Sequence, residues 1–520
     1  MSSEWIEEEV ADSTMPDERL KGRLGKTLEK LSHCPERSIP ASCSDWGDTL
    51  GTYRLLDNER LTPEAILSGH RAATVRRMDK EAVVLVAQDT TEVTFKRHYP
   101  IGMGTLKAPE TERHYWHSSV ALTAGRVNLG GLKSTCWQRL QRLTPQQRRR
   151  PERRPLAERE SARWVAHFAD DCDLPARLAS TLVVMLADRE GDMHDIFEHA
   201  QAQPEQARAS DILRAKSDRA TLGEHLWDEV ACSPILGTLA MRIGRRGNKP
   251  ARDALLVLRA RTVTFSGSKN YRRTPVTVHA VYALEVNPLA GEDPVEWLLI
   301  TDLEAGDFEQ ARTIVEWYTV RWEIEIFFRV LKQGCHIEEL RLQTARRVHN
   351  ALAVYQIIAW RVHAITMLSR AYPASPASLV FTDVEWQTIY LMQTKKPPPP
   401  EPPCLGETAR QLAQLGGFLA RKGDGKPGVQ SFWIGYQRLM DYIHALQISE
   451  QLRKRSVEEG ALHSIQATTL AQTLYSCGSP GSGWTSVEID LKFGYIITTL
   501  PVNVSDASID DVLRASATIS

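Results

Sequence analysis

The chain has 520 residues, of which 42% are hydrophobic and 25% charged, with a formal net charge of −1. That length suits about two to four domains rather than one small core, and near-neutrality excludes a nucleic-acid partner held by global basicity, leaving only local patches for that task. Eight single cysteines with no CxxC exclude a zinc ribbon or disulfide scaffold and fit a reduced, cytoplasmic compartment; the acidic start MSSEWIEEEV is no signal peptide and no apolar run reads as a bilayer span, so no membrane is expected as a partner.

Residues 1 to about 15 read as a loose acidic arm. A helix follows from Met15-Pro16-Asp17, with Leu20, Leu24, Leu28 and Leu31 on its apolar side, then a second from Trp46 to Leu56. Thr62-Pro63 caps a third helix carrying His70, Arg71, Arg76, Arg77 and Lys80. Three short helices with outward cations fit DNA binding and fit a solvated bundle equally well.

From residue 81 the pattern changes to strands. Ala82 to Ala87 is a continuous apolar run, as in a strand buried on both faces, and it stops at Gln88-Asp89-Thr90-Thr91. Val93 and Phe95 continue it, and Ser119 to Thr123 and Arg126 to Leu132 complete a three-stranded meander. Residues 138 to 163 form the most basic stretch, and its prolines make Arg148 to Arg154 a loop that either contacts phosphate or is simply solvated. Thr181 to Ala187 is a second buried strand, and it too stops on an acid, Asp188, in the string DREGD. Strand candidates then crowd residues 210 to 303, punctuated by cations, as a basic β-rich insertion.

The chain is organised around Tyr318 to Lys332, YTVRWEIEIFFRVLK, which has the periodicity of one uninterrupted helix. Tyr318, Arg321, Glu325 and Lys332 would fall within an arc of about 60° beside an apolar face. Taken alone, that stripe is an ordinary salt-bridged surface; with Asp89 and Asp188 it acquires a chemistry. Side chains at strand ends point into a crevice. Carboxylates converging from separate elements can hold hard divalent ions that clamp a phosphodiester, while adjacent cations neutralise phosphate. Beyond the stripe come a long helix from about Ala345 to Ala371, a polyproline linker KKPPPPEPP at 395–403, helices at 407–415 and 431–452, and a tail without character past about 456.

The strings QDTT and DREGD, the spacing Tyr318-x2-Arg321-x3-Glu325-x6-Lys332, TYRLLDNE at 52–59 and GGFLARKGDGKPG at 416–428 together resemble the DDE transposases of bacterial insertion sequences. The likeness is to their hairpin-forming cut-and-paste group, with its Tyr-Arg-Glu-Lys signature. The resemblance implies an α/β fold: an RNase H-like catalytic core (79–372) with a β-rich insertion (210–303), an N-terminal helical DNA-binding domain (1–78) and a C-terminal helical dimerisation domain (373–455), with 456–520 unassigned. It implies Asp89, Asp188 and Glu325 as ligands for two Mg²⁺ ions, with Mn²⁺ a substitute. It implies Tyr318, Arg321 and Lys332 on transposon-end phosphates, Trp297 against a flipped base, and Arg341, Arg214 and Lys216 as further DNA contacts. The expected partners are terminal inverted repeats, target DNA and a second copy of the chain. A DNA-binding regulator without catalysis, and an RNase H-like nuclease without strand transfer, are the alternatives.

Overall fold

A computed structural model of the chain describes residues 4–43, 45–95, 114–138, 159, 161–178, 180–204, 208–244, 251–266, 274–289, 291–458, 485–491 and 494–500. The Arg148 to Arg154 loop lies outside these residues, as do the insertion's cations at 245–249 and 269–273.

Nine strands build one sheet: β1 Val83–Val93, β2 His114–Thr123, β3 Asn128–Gln138, β4 Leu182–Ala187, β5 Ser210–Arg214, β6 Ile235–Ile243, β7 Arg252–Phe265, β8 Val276–Val286 and β9 Glu296–Thr301. Their order is β3-β2-β1-β4-β5-β9-β8-β7-β6. The expected meander is present, with β1, β2 and β3 antiparallel, while β4 and β5 add in parallel. That is the arrangement of an RNase H-like core. The strands of the expected insertion form no separate sheet: β9 pairs with β5, and β8, β7 and β6 prolong the core sheet outward. An edge strand with unpaired backbone groups accepts another strand readily, and periodicity alone cannot reveal which edge it joins.

The two apolar runs are buried on both faces, as their composition demands. Leu85, Ala87, Val184 and Leu186 face one hydrophobic cluster, and Val84, Val86, Val183 and Met185 face the other. The first cluster is roofed by the N-terminal helices, the stretch 308–331 and the helix Ala345–Ala371. The second is covered by Ala162–Cys172, His194–Ala202 and Leu226–Ala231. Ala345–Ala371 has the length and mean hydropathy, 1.4, of a bilayer span, which the sequence reading overlooked; 89% of its apolar window is buried inside the protein. Its apolar residues encircle the helix because it is a core helix.

The N-terminal arm is not loose. Glu4–Val10 is a helix whose Ile6 is buried. Glu9 is buried as well, its carboxylate meeting His70 Nδ1 and, at 2.7 Å, Arg77 Nη1. His70 and Arg77 therefore do not lie on an outer face. Arg77 also donates to the Leu129 carbonyl at 2.6 Å and stacks on Trp360 at 4.3 Å. An acid buried against two partners more than sixty residues away looks, in sequence, like any solvated charge. The Thr62 cap forms as expected on the Ala65 amide, and Asp17 caps the preceding long helix on the Leu20 amide.

Met1–Asp441 is one compact unit and Tyr442–Ser520 a second. In the first, the helices Asp383–Thr394 and Leu405–Leu415 lead to Val429–Glu458, which continues into the second. The second unit also holds an antiparallel strand pair, Thr485–Leu491 with Gly494–Leu500, where the sequence had no pattern to offer.

Candidate active site

Parallel pairing of β1 with β4 ends at Ala87 and Leu186, but β1 runs on to Val93 with β2 alone beside it. Asp89 therefore stands within a strand, opposite Ser118, rather than at its end. It stands just past the point where β4 stops, and Asp188 directly follows β4. Asp188 caps the short turn Arg189–Gly191, its Oδ1 accepting from the Glu190 amide at 2.8 Å. Gly191 allows this turn to sit tight: a Cβ there would lie 2.5 Å from that of Ala187. Asp192 has a different job, since it receives the Lys216 amide at 2.7 Å and pairs with Arg219.

The organising stretch is not one helix. Phe308–Val320 and Trp322–Arg329 meet at Arg321, where the ladder tightens to Arg321 N→Tyr318 O and Ile324 N→Arg321 O bonds. A π-turn, Val330–Gly334, then carries Lys332. These departures from 3.6 residues per turn break the expected arc. Lys332 is half-buried and stands beside Glu338 and Glu92; burial lowers its pKa against their pull. Tyr318, Arg321 and Glu325 do come together. Arg321 Nη1 donates to Asp89 Oδ2 at 3.0 Å and Nη2 to Glu325 Oε1 at 2.9 Å, with only 12% of the arginine side chain exposed.

Asp89 is pushed up to about 7 by burial, and Asp188 and Glu325 add to the rise while Arg321 opposes it. Asp188 and Glu325 therefore both lie near enough to act on Asp89. Burial disfavours the charge on Arg321, yet Tyr318, Asp89 and Glu325 together hold its pKa above the ordinary value. Among the described residues, however, no three His, Cys, Asp or Glu side chains are drawn in to metal-ligand spacing. The cluster is bridged by a guanidinium.

Trp297 lies edge-on to Tyr318, ring centroids 5.5 Å apart. Arg214 adjoins Tyr318, Arg321 and Arg189, and donates to the Glu296 carbonyl at 3.0 Å. Lys216 and Arg341 are exposed outside this group. Two neighbours escaped the sequence reading. The Thr90 amide donates to Asp89 Oδ1 at 2.7 Å, and its hydroxyl lies 2.9 Å from Nδ1 of the fully buried His117. Arg126, in the β2–β3 turn, reaches the helix junction. The string QDTT already contained Thr90; Arg126 was read as the start of the third strand, which begins instead at Asn128, and nothing in the sequence marked its side chain.

Family models match three consecutive parts of the chain: a transposase DNA-binding model at residues 2–61, a transposase DDE domain at 133–361 and a Tn5 transposase dimerisation domain at 357–454. The class is therefore that of the transposases with a DDE domain. Within it, the chain belongs to the DDE transposases of insertion sequences. The DDE match includes Asp188 and Glu325 and begins beyond Asp89. A piggyBac transposase, solved by cryo-EM as a synaptic complex with hairpin DNA, aligns at 10% identity with a TM-score of 0.29. The alignment covers 79% of this chain and 61% of that one, so this chain spans less than two thirds of that protein's length.

Proposed function

We propose that the protein moves its own element by cut-and-paste transposition, with Asp89, Asp188 and Glu325 as the catalytic carboxylates. The observation that supports this reading most is the meeting of those three acids with Arg321 and Tyr318 at the open end of β4. Hard carboxylate oxygens from three separate elements suit Mg²⁺ or Mn²⁺, two ions per site. Asp188 Oδ2 and Glu325 Oε2 accept no hydrogen bond among the described residues, so they are available as donors. Bound there, the metal would supply charge neutralisation and an acidified water for attack on a phosphodiester. Ligation competes with Arg321 for the Asp89 and Glu325 oxygens, so its guanidinium would turn to phosphate when the site is loaded.

The residues divide the remaining work. Arg321, Tyr318 and Arg214 would hold the end phosphates, Trp297 would stack on an unpaired base, and Lys332, Lys216 and Arg341 would contact DNA farther out. In-line attack by water frees a 3′-hydroxyl, whose attack on the opposite strand closes a hairpin and releases the flank. A second water opens the hairpin, and the 3′-hydroxyl then joins to target DNA. Residues 1–78 would recognise inverted repeats, 79–372 form the catalytic core and 373–455 pair two protomers, all in the bacterial cytoplasm.

The test is a plasmid carrying the gene's native flanking DNA, incubated with the purified chain and Mg²⁺ or Mn²⁺ beside a target plasmid. Excision and joined product are expected from the wild type, and neither from Asp188→Ala, which should still bind the flanks. Binding without cutting by the wild type would make the protein a regulator. Cutting without joined product would make it a nuclease.

A further inference from the structure

We infer that Arg126 is a positioning residue, holding the helix junction so that Arg321 and Glu325 face Asp89; this rests on the function proposed above. Arg126 follows Gly125 in the β2–β3 turn, and its own φ is +69°. The left-handed region is unfavourable for a side chain with a Cβ, and glycine is the usual occupant. A residue kept there against that cost is a reason to ask what its side chain does.

The side chain crosses to the break in the organising stretch. Arg126 Nη1 donates to the Thr319 carbonyl at 3.1 Å, and Nη2 to the Thr319 hydroxyl at 2.6 Å. Nη1 also reaches Glu323 Oε1 at 3.1 Å. Glu323 is 4% exposed, and its other oxygen lies 3.3 Å from Nε2 of the wholly buried His363. Asn128 Nδ2 donates to His363 Nδ1 at 3.0 Å, so the imidazole presents its Nε2 hydrogen to Glu323. The brace therefore runs from the β2–β3 turn, through the junction, to the core helix Ala345–Ala371, and back to β3 at Asn128.

Thr319 and Glu323 flank Arg321, and Glu323 precedes Glu325 by two positions, on a different side of the helix. Fixing 319 and 323 fixes how Arg321 and Glu325 are aimed. Arg126 needs no contact with DNA or metal to do this. Supporting partners of this kind typically change metal affinity or activity by about 10–100-fold when lost.

The test uses the full-length chain and the substitution Arg126→Gly. Glycine relieves the left-handed backbone while deleting the brace, so the relief offsets stability lost with the Glu323 contact, where a larger residue would add strain to that loss. Four readouts are compared with the wild type: urea unfolding, Mn²⁺ affinity by electron paramagnetic resonance, affinity for the flanking-DNA duplex, and the cleavage rate on the bound duplex. The expected result is near wild-type unfolding and duplex affinity, with Mn²⁺ affinity and cleavage rate reduced by about 10–100-fold. Glu323→Gln, which keeps the shape but weakens both ends of the brace, should fall between the two. An Arg126→Gly protein that binds Mn²⁺ and cleaves like the wild type overturns the positioning role alone. A wild type that neither binds Mn²⁺ nor cleaves overturns the proposed function, and the positioning role with it.

Discussion

Replacing Asp89 by Asn gives a pH-dependent change of calculable size. In the folded, metal-free protein the Asp89 pKa is raised from 3.8 to about 7, by burial first and then by Asp188 and Glu325. A raised carboxylate pKa reverses the usual sign: the folded chain retains a proton that the unfolded chain releases. The wild type is penalised by nothing below the unfolded value, loses stability as pH climbs between the two values, and carries the whole penalty above about 7. Each pKa unit is worth about 1.4 kcal/mol, so the full penalty is about 4 kcal/mol. Between about pH 5 and about pH 8, the part that develops is about 2.5 kcal/mol. Asn cannot ionise and escapes it. Urea unfolding in EDTA, followed by tryptophan fluorescence, should therefore show Asp89→Asn gaining about 2.5 kcal/mol on the wild type across that interval. Other titrating groups largely cancel in the difference. A gap independent of pH would refute the reasoning, because Asp89 would then not be buried against two further acids.

Arg321→Gln leaves Asp89 and Glu325 without their shared partner, and should cost about 3–5 kcal/mol in EDTA at about pH 8, part of it recovered by Mn²⁺; equal losses with and without Mn²⁺ would count against a common site. Gly191→Ala puts a methyl group 2.5 Å from the Ala187 Cβ and 3.2 Å from the Trp164 ring, shifting the turn that presents Asp188. Cleavage should drop by about 100-fold with duplex affinity unchanged, as read by single-turnover kinetics and gel shift. Thr90→Val keeps the amide bond to Asp89 but strips the buried His117 of its partner, and should lower stability by about 1–3 kcal/mol in urea unfolding.

The sheet was legible wherever apolar runs were continuous. β1 and β4 must be buried on both faces, and no surface strand would be written that way. β5 and the four strands after it were found by the same means, but the attachment of those four beyond β5 was not, because hydrogen-bonding edges leave no trace in side-chain pattern. The acids of the candidate site stood out because each follows or interrupts an apolar element. Their relation to Arg321 did not, since an i,i+4 pair with Glu325 predicts nothing about a third partner 232 residues away. The single-helix reading failed at Arg321 and again at Val330–Gly334, where hydrogen bonds shift to i+3 and i+5 spacing although Tyr318 to Lys332 itself contains no Gly or Pro to announce a break. That is why Lys332 faces Glu338 and Glu92. Glu9, His70 and Glu323 were misread or passed over for one reason: a charge neutralised by a distant partner is indistinguishable, in sequence, from one left in water.

The central claim is that Asp89, Asp188 and Glu325 ligate divalent ions together. Anomalous scattering from crystals of the protein bound to flanking DNA and Mn²⁺ tests it most directly. The account predicts manganese density touching all three carboxylates, with Arg321 moved off Asp89 or Glu325 and onto a phosphate. Manganese absent from that crevice, with Arg321 still spanning the two acids beside bound DNA, would contradict it.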